Sequence, residues 1–205
     1  MKRIVLMAVL ALALPLAAFA NSVDFTNGGG LLKGSSAGLT LSSTLIAVNG
    51  LDGLGLVTGN NLGTLTFSTG AFSGSLLKGG TFAGGGSFVI TGNGTGGIPN
   101  GTIFKGSFSG PGTWTLTTDP KTGNHYYTLM DTISGTWYNG KTVYGLTVQL
   151  TTSTGKGFFN GHTGIRLSSG DTTISTPVPE PGTLGLLGTG LVGIAGMFRR
   201  KLLGA

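Results

Sequence analysis

The sequence predicts an all-β fold: a single antiparallel β-sandwich or flattened barrel over residues 21–176, flanked by an N-terminal signal-peptide helix and a C-terminal hydrophobic helix at 183–198. Three observations carry this reading. No window between Asn21 and Thr176 holds a helical apolar period, because glycine, serine and threonine interrupt each one. Apolar and polar residues instead alternate, the period of a strand with one side buried. Turn residues recur at short intervals, and strands joined so tightly must run antiparallel, since a parallel crossover takes roughly a dozen residues.

Taken in chain order, the first element is the signal peptide, residues 1–20. Lys2 and Arg3 form a short basic start, and Ile4 to Phe19 is an unbroken apolar run. Ala18 and Ala20 place small side chains at the −3 and −1 positions, so signal peptidase is expected to cut before Asn21. The run is shorter than the ~20 residues that span a bilayer, which favours a cleaved signal over a permanent anchor.

The body follows. Asn49-Gly50 is expected to join two early strands, and Leu65 and Phe67 alternate with Thr64, Thr66 and Ser68. Trp114 and Leu116 face inward between Thr113, Thr115 and Thr117, with residues 119–124 as the next loop. Asn139-Gly140 suits a type I′ hairpin, whose two central residues need positive φ. Beyond it, Tyr144, Leu146, Val148 and Leu150 share the inward parity, with Val143, Gly145, Thr147 and Gln149 outward. Residues 27–101 carry 22 glycines, the following 75 residues carry 12, and every Trp and Tyr lies between Trp114 and Tyr144. The second half is therefore expected to hold the tighter core.

Charge and composition narrow the function. The formal charge is +6, but Lys2, Arg3, Arg199, Arg200 and Lys201 supply five of the twelve basic residues from the termini. Between Asn21 and Thr176 seven basic residues face five acids and are spread singly, which argues against nucleic acid as a partner. There is no cysteine, hence no disulfide framework or thiolate chemistry.

Catalytic signals are sparse, and the protein is expected not to be an enzyme and to need no cofactor or metal. His125 and His162 lie beside turn glycines without a partner at metal spacing. Gly34-Ser35-Ser36-Ala37-Gly38 matches the G-x-S-x-G nucleophile elbow without the helix that the elbow requires. Two G-x-G-x-x-G matches, at 92–97 and 188–193, lack the strand-turn-helix setting of a dinucleotide site. The five body acids are spread singly and mark no pair of flanking carboxylates; a hydrolase would need two of them, such as Asp119 and Asp131 across a hairpin, to converge in the fold. Trp114, Trp137 and Tyr138 form the candidate ligand platform, rings able to stack on sugars if they face solvent. The threonine-rich strand faces raise ice binding as a lesser reading, limited by the twist of ordinary sheets.

The last element is the tail. Pro177, Pro179 and Pro181 make a stiff extended spacer, Thr183 to Phe198 is uncharged, and Arg199, Arg200 and Lys201 close it. A helix there reaches about 24 Å, just short of a ~30 Å hydrocarbon core, and its basic end sets the cytoplasmic side. Pro179-Glu180-Pro181, the apolar segment and the terminal basic cluster together resemble the PEP-CTERM sorting signal, with Leu202 to Ala205 running past the point where that family usually ends. The resemblance implies recognition of Pro179, Glu180 and Pro181 by an exosortase-like membrane protease, a transient inner-membrane anchor over 183–198 and a stop at Arg199, Arg200 and Lys201. It spans 177–205 alone and implies a route: an exported surface or extracellular-matrix protein. A carbohydrate-binding module of an exopolysaccharide matrix is the alternative for the body.

Overall fold

A computed structural model describes residues 22–175, apart from the side chains of 144–147. The expected signal peptide with Ala18, Ala20 and Asn21 lies outside the described residues, as do Pro179, Glu180, Pro181, Arg199, Arg200, Lys201 and both flanking helices.

Eleven strands form one antiparallel sheet: β1 (Ser22–Ser35), β2 (Gly38–Asn49), β3 (Val57–Ser68), β4 (Phe72–Ser75), β5 (Gly79–Phe82), β6 (Gly85–Asn93), β7 (Asn100–Phe108), β8 (Gly112–Thr118), β9 (His125–Trp137), β10 (Thr142–Gly155) and β11 (Ile165–Ser175). The expected all-β class and antiparallel pairing are therefore present. The pairing also closes the sheet on itself. β9 pairs with β10 along one edge, and along the other with β7 through Ile133–Trp137 and with β8 through His125–Met130. β10 then pairs with β11, and β11 with β1.

Three strand pairs are collinear. β3 runs into β4, β5 into β6 and β7 into β8, and the breaks at 69–71, 83–84 and 109–111 lie side by side. Counted as single segments, they make the chain an eight-segment meander in which each segment pairs with the next and the last returns to the first. Closure of this kind pairs every strand but the short β4 on both sides and so limits the free sheet edge that seeds edge-to-edge aggregation. Glycine permits the breaks. Gly86, at φ +69°, has a left-handed backbone and sits so close to β3 that a Cβ would lie 2.0 Å from the Ser68 carbonyl oxygen.

The inward faces make one apolar core. Phe25, Leu45, Leu65, Phe88, Phe104, Tyr127, Leu129 and Ile133 are all fully buried, so the core draws on both halves of the chain. This corrects the expectation of a looser first half: its glycines sit at turns and backbone crossings, and its phenylalanines pack as tightly as the later aromatics. Outward faces carry hydroxyl rows, one running Thr44, Thr64, Thr91, Thr102 and another Thr115, Thr128, Thr151, Ser169 across paired strands. These rows follow a closed, curved sheet, and the arrangement is the inverse of a lipid-facing barrel, whose outer band is apolar.

Two further expectations change. Val143 is buried, at 1% exposure, because the β9–β10 register shifts between Val143 and Leu146 and reverses the alternation there. The β9–β10 turn is not type I′. Gly140 has φ +82° but Asn139 does not share the positive sign, and Gly140 N–H donates to the Trp137 carbonyl at 2.8 Å, so the loop is the three-residue kind with glycine at the left-handed position.

Candidate functional site

The three rings singled out from the sequence do not assemble into an exposed platform. Trp114 points inward from β8 at 2% exposure, stacks on Tyr127 at 5.1 Å and donates its indole N–H to the Leu76 carbonyl at 3.0 Å. Trp137 is 4% exposed and packs against Phe25. The register places Trp114 opposite Leu129, eight residues along β9 from Trp137, so the two positions are separated by about 27 Å of strand. Tyr138 alone of the three is exposed, and its hydroxyl donates to the Asp52 carboxylate, a bond that pushes the phenol pKa up.

Sequence reasoning missed the opposite end of the ring. Four connections meet there: the β1–β2 turn, the β4–β5 turn, the loop at 119–124 and the loop at 156–164. Hydrogen bonds of largely buried groups stitch the β1–β2 end, the β4–β5 turn and the 156–164 loop together. Tyr127 hydroxyl donates to the Leu77 carbonyl at 2.8 Å and accepts from Phe159 N–H at 3.2 Å, while Gly34 N–H reaches the Gly161 carbonyl at 3.1 Å. Burial pushes the Tyr127 pKa up. Between the turns opens a cleft of about 430 Å³ lined by Ser36, Phe72, Ser75, Leu76, Asn160 and His162.

Around that end stand Lys33, Lys78, Lys121, Lys156 and Arg166, all exposed. Five of the seven body cations and one of the five acids, Asp119, gather here, a net of +4, and the remaining two cations and four acids leave the rest of the body at −2. The single acid is engaged: Asp119 Oδ2 accepts from the Thr122 hydroxyl at 2.6 Å and Oδ1 from Lys121 N–H at 2.9 Å, which hold its pKa below the usual carboxylate range. Exposed rings accompany the cations. Phe158, 54% exposed, stacks on His125 at 4.2 Å, and His125 in turn pairs with the Thr118 hydroxyl at 2.9 Å. The charge is dispersed in sequence because successive strands return to the same end. The available signal was the turn-adjacent position of each cation, which becomes readable once the strand directions are assigned.

Ser36, the central serine of the G-x-S-x-G match, and His162 both line the cleft. Ser36 nevertheless sits in a tight turn between antiparallel strands instead of before a helix, and no carboxylate lines the cleft. Asp119 and Asp131 do not pair. The register sets Asp119 beyond the His125 end of β9, six residues along that strand from Asp131, a separation of about 20 Å.

Asp131 occupies its own niche. Its side chain is 9% exposed, Oδ1 accepts from Thr132 N–H at 2.6 Å, and Oδ2 is buried without a partner. A Cβ on Gly112 would stand 2.4 Å from that oxygen, so glycine makes the space. Burial pushes the carboxyl pKa up. A shallow cleft of about 320 Å³ lies over it at the β7–β8 break, lined by Gly110, Pro111, Met130 and Thr132 as well. Among the described residues, no three His, Cys, Asp or Glu side chains gather as a metal site, and no helix is long and apolar enough to cross a membrane.

No curated protein and no solved structure matches the chain. The family model of the PEP-CTERM protein-sorting motif matches residues 177–201, which contain the Pro179-Glu180-Pro181 spacer, the uncharged segment and the basic cluster. The chain carries a PEP-CTERM protein-sorting motif at its C-terminal end, directly following a closed antiparallel β-domain.

Proposed function

We propose that the protein is a non-enzymatic structural component of the cell surface or extracellular matrix. In this reading signal peptidase removes residues 1–20, the segment at 183–198 holds the chain in the inner membrane, and an exosortase-like protease releases it by cutting near Pro179-Glu180-Pro181. The match of the sorting-motif model to residues 177–201 carries the proposal, since that motif marks an exported exosortase substrate.

Two features of the body support a scaffold over a catalyst. Both tryptophans are used in the core, and the candidate acid pair is separated by the register. A closed ring of strands in which the short β4 alone lacks a second partner, with hydroxyl rows outward, suits a module that must persist outside the cell without disulfides. Replacing Pro179, Glu180 and Pro181 together by alanine tests the route. The variant is expected to accumulate in the inner-membrane fraction at full length, while the unaltered protein reaches the surface or medium. Normal release of the variant would defeat the proposal.

A further inference from the structure

We propose that the loop-bearing end of the β-domain, with its 430 Å³ cleft, is a docking surface for an acidic polysaccharide. The inference concerns the body and is independent of the sorting route, which the tail decides.

Three observations converge on this chemistry. The first is charge. Lys33, Lys78, Lys121, Lys156 and Arg166 stand at one end of the ring, and the one acid among them, Asp119, has both oxygens committed to its own loop. The surface therefore presents cations to an anionic partner, and the opposite sign of the rest of the body orients the approach. The second is the rings. Phe158 and Tyr126 are exposed at 54% and 36%, and Phe158 is held flat against His125. A fixed aromatic face stacks on the apolar face of a sugar ring and gives nothing comparable to a phosphate. The third is the cleft lining, in which Ser36, Ser75, Asn160 and His162 offer hydroxyl, amide and imidazole groups among Phe72 and Leu76. That mixture of flat apolar surface and hydrogen-bonding groups matches a hydroxyl-rich polymer.

Charge density decides among polyanions. A net of +4 is sparse against duplex DNA, which carries one charge per ~1.7 Å of axis, and it suits a polymer with at most one carboxylate per sugar. A concave cleft likewise fits a chain better than the plane of a lipid surface.

The test uses the mature exported protein and four probes: alginate, neutral dextran of matched length, single-stranded DNA, and vesicles containing phosphatidylglycerol. Alginate is expected to bind at least about tenfold more tightly than the other three, and to weaken about tenfold between about 50 and about 300 mM salt. Lys33→Glu with Lys156→Glu should weaken alginate binding about tenfold. Phe158→Ser should weaken it about threefold with an unchanged salt dependence. Lys105→Glu with Lys141→Glu, on cations away from this end, should leave it within about twofold. An unaltered urea midpoint for each variant excludes unfolding as the cause, and the salt titration of the unsubstituted protein stands whether or not a variant folds. Absence of alginate binding, equal loss in the Lys105/Lys141 variant, or tighter binding of DNA or vesicles would overturn the assignment.

Discussion

Residues 27–101 and residues 102–176 differ in composition more than in construction. The first stretch carries 22 glycines and no Trp or Tyr, the second 12 glycines and all six of those aromatics. Yet Leu39, Leu45, Leu65, Phe82, Phe88 and Ile90 from the first are as fully buried as Tyr127, Leu129 and Ile133 from the second. The contrast teaches that glycine density in this chain reports close backbone approach and turning, and does not report a loose core.

The largest predicted effects test that equality directly. Phe88→Ala and Trp114→Ala are each expected to destabilise the protein by about 3–5 kcal/mol, since both vacate a filled interior. Urea unfolding of the two variants measures it; a cost at Trp114 several times that at Phe88 would restore the picture of a loose first half. Next comes Gly86→Ala, where left-handed φ and the adjacent Ser68 carbonyl together should cost about 2–4 kcal/mol. Gly110→Ala, with open space around the added carbon, should change stability by less than about 1 kcal/mol. If the two glycine variants behave alike, glycine here is filler after all.

A smaller effect belongs to the β7–β8 break. Burial raises the Asp131 pKa, so the folded chain keeps that proton over a range where the unfolded chain has lost it. Its contribution is therefore greatest in acid and is lost as pH rises from about 4 through the folded value. Asp131→Asn should remove this slope and leave the protein more stable than the parent at pH 7, as read from urea midpoints across pH. A variant less stable than the parent at pH 7 would indicate that the carboxylate has a partner in solution.

Local patterns made much of the fold legible. Alternation placed Leu65, Phe67 and Trp114 inward, and the turns at Asn49-Gly50, at 119–124 and at Asn139-Gly140 fall between strands. What depends on register was not legible. A one-residue bulge between Val143 and Leu146 reverses the alternation, and a run of residues carries no mark of which strand faces it. Ring closure and the gathering of Lys33, Lys121 and Lys156 at one end are products of strand direction, so cations that look isolated along the chain become neighbours in space. The aromatic trio failed for a related reason. Adjacent rings on a strand must point to opposite sides, and composition does not say which side is core. The sorting motif at 177–201 was readable, because its information is local order: proline spacer, uncharged segment, basic close.

The covalent ends of the mature chain are read from the intact mass of the protein recovered from outside the cell. The exported chain is expected to start at Asn21 and to have lost residues 183–205. An exported chain whose mass still includes Ala205 would contradict it.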